Sequence, residues 1–294
     1  MENLNKNNGR LKLAIQKSGR MTKGSIDLLS GSGFSFSYRE GVLYSPVNNY
    51  PLDILAIRDD DIPRYVQEGI CDIGIVGSNI VEEENSNVEI LSRLGFGRCR
   101  VSICVPKSSQ INKLEDLEGK TIATSYPNIL AKFLDKKGIN SKIVEISGST
   151  EIAPSLGVAD AICDIISTGS TLKVHGLDEM YEVTKSEAVL IAHKPVLADK
   201  NRDRLISNLL VRVQSRVLAH GKKYVAMNAR VESIEKIKSL IPGIKSPTVI
   251  PLLEDNMVAL HSVVDEQEFW NVLDELKSAG ASGIVVSSID NIIR

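Results

Sequence analysis

Two aspartates four residues apart, Asp160 and Asp164, interrupt the apolar run of "ADAICDIISTGSTL" (159–172), which ends in Ser167-Thr168-Gly169-Ser170-Thr171. If 159–166 is a strand, side chains alternate with period two and both acids point to one side. The small, hydroxyl-rich stretch that follows reads as a turn into a helix. There, unpaired backbone N–H groups, hydroxyl donors and the helix dipole make a phosphate cradle, and Gly169 lets the backbone come close to the anion. Carboxylates beside such a cradle suit a ribose phosphate. The acids accept hydrogen bonds from ribose hydroxyls or hold a magnesium ion, while the loop takes the 5′-phosphate. The plainer alternative is a Ser/Thr helix cap after a strand with incidental acids. Both acids together with the whole hydroxyl run favour the sugar phosphate.

Other strand ends offer supporting groups. "QKSGR" (16–20) sets Lys17 and Arg20 around Gly19, and a guanidinium can fork onto phosphate oxygens where an ammonium supplies a point charge. "GFGRCR" (95–100) places Arg98 and Arg100 at a strand start behind two glycines that allow bending; a hinge with solvated arginines is the competing reading. "CDIGIVG" (71–77) carries Asp72 and Gly74 on a strand and resembles half a nucleotide site. It lacks G-x-G-x-x-G, and no G-x-x-x-x-G-K-[ST] occurs, which argues against a dinucleotide enzyme or a P-loop ATPase. No histidine has a serine or cysteine partner at a spacing that suggests a nucleophile pair.

These residues need a scaffold. Buried-looking strands at 11–16, 52–58 and 71–77, with an amphipathic helix at 59–69, predict an α/β unit. The rhythm restarts at 99–106, followed by a turn and strand within 114–127, a helix at 128–138, a strand at 142–147, a short helix before Gly157 and the strand 159–166. A strand at 187–194 and a long helix at 199–222 return to the first unit. An insert between two halves of one unit gives two lobes and a cleft, with ligands at the carboxyl ends of the strands. From Lys223 on the order is β-α-β-β-α-β, a ferredoxin-like α+β module without a catalytic cluster. The expected divisions are 1–103 with 184–222 for lobe I, 104–183 for lobe II and 223–294 for the terminal module.

The 294 residues carry a net charge of −2, so no global basic field draws the chain to nucleic acid or a membrane, and anions must be held by local clusters. Four cysteines without a Cys-x-x-Cys pair, and scattered histidines, predict a reduced protein without zinc. The polar start "MENLNKNNGR" lacks an apolar h-region, and no run reaches membrane-span length. The expectation is a cytoplasmic protein.

"EIAPSLGVADAICDIISTGSTLKVHGL" (151–177) closely resembles the phosphoribosyl-diphosphate (PRPP) motif of the ATP phosphoribosyltransferases, the family that opens histidine biosynthesis. "LAIQKSGR", "DIGIVG" and "LGFGRCR" resemble its other blocks in order, and the terminal module resembles the regulatory domain of the long form. The resemblance implies a two-lobed, periplasmic-binding-protein-like catalytic core with a C-terminal ACT-like domain. It implies transfer from PRPP to N1 of ATP with release of diphosphate and use of Mg²⁺, together with feedback inhibition by L-histidine and dimer or hexamer formation. Carried over, Ser167, Thr168, Gly169, Ser170 and Thr171 hold the 5′-phosphate, while Asp160 and Asp164 serve ribose and metal, joined by Glu151. Lys17, Gly19, Arg20, Asp72, Gly74 and Arg98 serve the remaining phosphates and substrate. For the effector, strand and helix ends at Ser246, Thr248, Ala281 and Ser282 are the implied contacts. A solute-binding module without chemistry, or a phosphoribosyltransferase acting on another base, are the rivals.

Overall fold

The computed structural model describes residues 9–167, 169–241 and 247–293; for Ser170 and Thr171 it describes the backbone alone. The chain divides into one unit up to Leu210 and a second from Val211. The first unit holds two sheets. One is built from β1 (Leu11–Gln16), β2 (Tyr44–Pro46), β3 (Leu52–Ile57), β4 (Ile73–Gly77), β5 (Glu89–Arg93) and β11 (Ala188–Ala192) in the order β2-β3-β1-β4-β11-β5. The other is built from β6 (Cys99–Pro106), β7 (Thr121–Thr124), β8 (Lys142–Glu145), β9 (Ala161–Ile166) and β10 (Leu177–Ser186) in the order β10-β6-β9-β7-β8.

Helices α1 (Arg20–Gly31), α2 (Ile62–Gln67) and α3 (Ser78–Glu83) belong to the first sheet, and α4 (Pro127–Lys137) and α5 (Ser170–Val174) to the second. The chain passes between the lobes twice, from β5 to β6 and from β10 back to β11. The division therefore falls between Arg93 and Cys99 and again after Ser186. Breaks at 103/104 and 183/184 would instead cut through β6 and β10. Both sheets are mixed. β1 runs parallel to β3 and β4, but the returning β11 is antiparallel to β4, and β6 is antiparallel to β9.

Burial follows layer position. β11 lies between β4 and β5, and all five of its residues, Ala188 to Ala192, are buried, so it reads as an unbroken apolar run. In lobe II, Ala161 and Cys163 of β9 pack with Ile129, Leu130 and Leu134 of α4, while Ile162 and Ile166 lie in a second cluster with Ala153 and Leu177. Odd and even positions of β9 thus serve opposite faces, as period two demands.

The second unit contains β12 (Lys222–Arg230), α7 (Ile234–Leu240), β13 (Thr248–Pro251), β14 (Met257–Asp265), α8 (Glu266–Ser278) and β15 (Ser282–Ser288), preceded by the end of α6 (Lys200–Ala219). The β-α-β-β-α-β order is the expected one, and the antiparallel sheet runs β13-β14-β12-β15. Phe269 and Leu276 of α8 are fully buried against Val225, Met227 and Leu260. Asp265 caps α8, its carboxylate accepting from the N–H groups of Gln267 and Glu268 at 3.0 and 3.3 Å. Such a cap contributes about 1 kcal/mol.

Candidate functional site

The loop after β1 reaches the start of β6 in the other lobe. At the end of β1, Gln16 shapes the loop: its Oε1 accepts from Met21 N at 2.9 Å, and its Nε2 donates to Asp59 Oδ2 at 2.9 Å, joining the loops after β1 and β3. Neither Gln16 nor Asp59 announces itself in the sequence, because amides and acids at strand ends are common. Gly19 takes φ +119° at the start of α1, and exposed Arg20 donates from Nη2 to Cys99 Sγ at 3.3 Å across the lobes. Lys17 is exposed in the same loop; its N–H donates to Ile57 O at 2.7 Å, and its carbonyl accepts from the Tyr38 hydroxyl at 2.9 Å.

A cleft of about 500 Å³ opens where the chain crosses between lobes, lined by Arg98, Cys99, Arg100, Ser167, Lys185 and Ser186 among others. Most of its cations are already paired. Arg93 meets Glu187 at 3.1 Å, Lys185 lies 3.7 Å from Glu182, and Arg100 makes a fork with Glu179. Arg98 is exposed and has no carboxylate partner among the described residues. It is the cation best placed to receive a substrate anion.

Ser167 closes one side of this cleft directly after β9. Gly169 has φ +76°, and a Cβ there would meet open space, so the backbone turns freely toward solvent before α5 begins at Ser170. Thr168 and the side chains of Ser170 and Thr171 lie outside the described residues.

The two aspartates do not stay together. β9 begins at Ala161, so Asp160 precedes it at the far end of the sheet, where its Oδ2 accepts from Thr121 N at 2.8 Å and its N–H donates to Thr121 O at 2.8 Å. At about 3.3 Å per residue, roughly 13 Å of strand separates it from Asp164. Asp160 thus registers β9 against β7, and the expected shared ribose and metal role for the pair does not fit. Asp164 accepts from the hydroxyl of buried Thr150 and, at 2.6 Å, from Ile165 N. Burial raises its pKa above the ordinary carboxylate value and nearby Glu151 adds to the rise, while the hydrogen bonds from Thr150 and Ile165 oppose it. The acid holds the turn Thr150–Ile152, which carries Glu151, beneath the strand that delivers the loop. Carboxylates that far apart along a strand cannot both reach one ion, so Asp160 and Asp164 do not form a joint magnesium site.

Asp72 and Gly74 also leave the site. Asp72 precedes β4 and is buried, accepting from Lys12 N at 2.7 Å and pairing with Arg202 of α6. It fastens a helix to the amino end of the sheet, opposite the cleft. Gly74 sits inside β4, and a Cβ there would lie 2.7 Å from Ile62 Cγ2 and 3.0 Å from Val66 Cγ2. Its missing side chain makes room for α2, not for a ligand.

Tyr126, unremarked in the sequence, borders both lobes. Its ring packs against the core clusters of each, and its hydroxyl is pushed well above the ordinary tyrosine value by burial and then by the charges of Asp164, Asp60, Cys99 and Asp59.

In the second unit, Thr248 lies on β13 and Ser282 on β15, the two outer strands of the sheet, and Ala281 is buried. Three strand spacings, roughly 14 Å, separate these edges. A small effector within one chain cannot touch both. Ser246 lies outside the described residues.

The family model described as ATP phosphoribosyltransferase matches residues 58–215, and that described as HisG, C-terminal domain, matches residues 219–291. The ATP phosphoribosyltransferase of Cytophaga hutchinsonii is 47% identical over 97% of this chain and 99% of its own, and that of Bacteroides thetaiotaomicron is 42% identical over 96% and 99%. Among solved structures, the ATP phosphoribosyl transferase (HisG:HisZ) complex from Thermotoga maritima superposes with a TM-score of 0.58 at 27% identity, covering 69% of this chain and 98% of that one. With a catalytic core and the C-terminal domain on one chain, the protein belongs to the ATP phosphoribosyltransferase family, in its long form.

Proposed function

We propose that this enzyme transfers the 5-phosphoribosyl group of PRPP to N1 of ATP and releases diphosphate, the first step of L-histidine biosynthesis. One observation carries the reading: in a chain of this family, a glycine-containing loop at the carboxyl end of β9 faces a cleft whose Arg98 lacks a carboxylate partner. The adenine N1 lone pair forms the new bond to C1 of the ribose as the bond from C1 to the diphosphate oxygen breaks, and that electron pair leaves with the diphosphate. Adenine N1 needs no strong base, so the main tasks are to align the reactants and to stabilise the departing anion. The loop from Ser167 to Thr171 takes the 5′-phosphate, and Lys17, Arg20 and Arg98 receive the diphosphate or triphosphate oxygens. Asp164 orients the floor beneath the ribose through Thr150, with Glu151 beside it. Magnesium belongs to the substrate in this scheme, entering on the diphosphate of PRPP, as is usual where an ion is held through phosphates and few carboxylates.

We extend the proposal to L-histidine as feedback inhibitor and to dimers and hexamers of this chain. Support comes from the C-terminal domain, whose proposed effector positions lie on opposite sheet edges and suit a site completed by a second copy. The test is direct. Protein, ATP, PRPP and Mg²⁺ are mixed while diphosphate and the near-ultraviolet absorbance of the adduct are followed, with L-histidine titrated in. Both signals must depend on ATP and fall with L-histidine; a protein that binds the substrates without forming an adduct is a solute binder.

A further inference from the structure

α3 of lobe I and α4 of lobe II meet through a contact that the reaction scheme does not use. Glu83, the last residue of α3, is 7% exposed. Its Oε1 accepts from Asn128 N at 2.8 Å and its Oε2 from Ile129 N at 2.9 Å, while its carbonyl accepts from Asn128 Nδ2 at 3.0 Å. One turn on, Lys132 donates to Asn85 Oδ1. A carboxylate of one lobe thus fills the amino end of an eleven-residue helix in the other, where free N–H groups and the helix dipole favour an anion.

Both ends of this contact lead to the site. At its start, α3 is held by the second crossing, since Ser186 Oγ accepts from Asn79 N at 3.1 Å and donates to Asn79 Oδ1 at 2.7 Å. On the other side, Tyr126 at the head of α4 donates its N–H to Thr124 Oγ1 at 2.8 Å, and that hydroxyl donates to Cys163 O of β9 at 2.7 Å. Four residues beyond Cys163, just past the end of β9, stands Ser167. Hydrogen bonds and short backbone steps therefore connect Glu83 to the strand that delivers the phosphate loop.

We propose that Glu83 is a positioning residue, an internal anion that pins lobe II to lobe I beside the crossing and sets where β9 presents its loop. By occupying the amino end of α4, it also directs substrate phosphate to the 167–171 loop. This inference rests on the phosphoribosyl-transfer reading of the cleft.

The experiment compares full-length wild type, Glu83→Ala and the isosteric Glu83→Gln in steady-state kinetics and in small-angle scattering, each with and without added acetate. Glu83→Ala is expected to lose about ten- to a hundred-fold in kcat/KM for PRPP, the scale of a misplaced reactant. Acetate restores part of that loss by re-entering the vacated carboxylate position and leaves wild type unchanged. Glu83→Gln, which sets an amide N–H₂ against one helix N–H, shows a smaller loss. Wild-type kinetics in either variant, or a loss in Glu83→Ala that acetate does not relieve, overturns the proposal. If Glu83→Ala fails to fold, Glu83→Gln decides it alone, by loss or retention of kcat/KM. Scattering separates the two readings: a change of lobe angle in Glu83→Ala that acetate reverses, alongside a wild type that forms no adduct, keeps the pin and discards the reaction.

Discussion

Replacing Asp72 separates a structural acid from a catalytic one. Its carboxylate is 7% exposed as a side chain and holds two donors, Lys12 N at 2.7 Å and the guanidinium of Arg202, whose side chain is 23% exposed. Removing one partner from a buried ion pair costs roughly 3–5 kcal/mol. The hydrogen bond from Lys12 to a charged acceptor, worth about 1.5–3 kcal/mol, is part of the same loss and does not add in full. Because Arg202 retains some solvent, Asp72→Ala is expected near the lower bound, about 3 kcal/mol. Asp72→Asn keeps an acceptor for Lys12 N and loses about half as much. At about 2–4 °C per kcal/mol for a chain of this size, the alanine variant melts roughly 6–12 °C lower. Urea denaturation and thermal melting measure the loss, and steady-state kinetics below the melting range measure kcat and KM for both substrates. Stability falls while kcat/KM stays within a factor of about two, since Asp72 lies at the opposite end of β4 from the cleft. A collapse of kcat/KM with an unchanged melting temperature refutes this reasoning and returns Asp72 to the substrate.

Asp160 and Asp164 should part company in the same assays: Asp160→Asn leaves kcat/KM near wild type, whereas Asp164→Asn lowers it by about ten-fold or more through the Thr150 turn. Asp164 also carries a pH signature. Its folded pKa is raised above the unfolded 3.8, so its contribution to stability is fully present below that value and is lost as pH rises through the folded pKa; Asp164→Asn flattens that segment of a urea-midpoint profile. Gly74→Ala drives a methyl against Ile62 and Val66 and should cost roughly 1–3 kcal/mol in chemical denaturation without altering KM. Arg98→Ala should raise KM for PRPP about ten-fold and reduce the salt dependence of kcat/KM, because the lost group is a solvent-facing cation.

Local patterns made the C-terminal domain readable. Its strands alternate one buried face against helices, as in Val258, Leu260, Ser262 and Val264 of β14, so period two and the turn at Asn256 (φ +63°) marked each element. β10 escaped the same reading. Register shifts at Glu179/Tyr181 and Glu182/Thr184 break its alternation, and it carries charged residues along its length. Missing that strand also hid the second crossing, which is why the expected lobe boundary at 184 fell inside it.

The loop proposed to take phosphate could be singled out in the sequence because its residues are contiguous. Hydroxyls, glycine and helix start occupy five successive positions after an apolar strand, and a strand end needs no distant partner to present them. The same string read Asp160 and Asp164 as same-side acids of one strand, whereas β9 begins at Ala161 and leaves Asp160 outside it. Parity, however, says nothing about where a strand begins or which end faces the cleft. That was decided by pairing with Thr121 on β7, which holds Asp160 at the far end of the sheet, before β9 begins. Likewise, only tertiary packing showed that Asp72 serves Arg202, that Gly74 yields space to α2, and that Glu83 reaches the helix of another lobe from forty-five positions away in sequence. Spacing along a chain specifies local geometry, whereas ion pairs and close packing depend on which distant segments the folded core brings together.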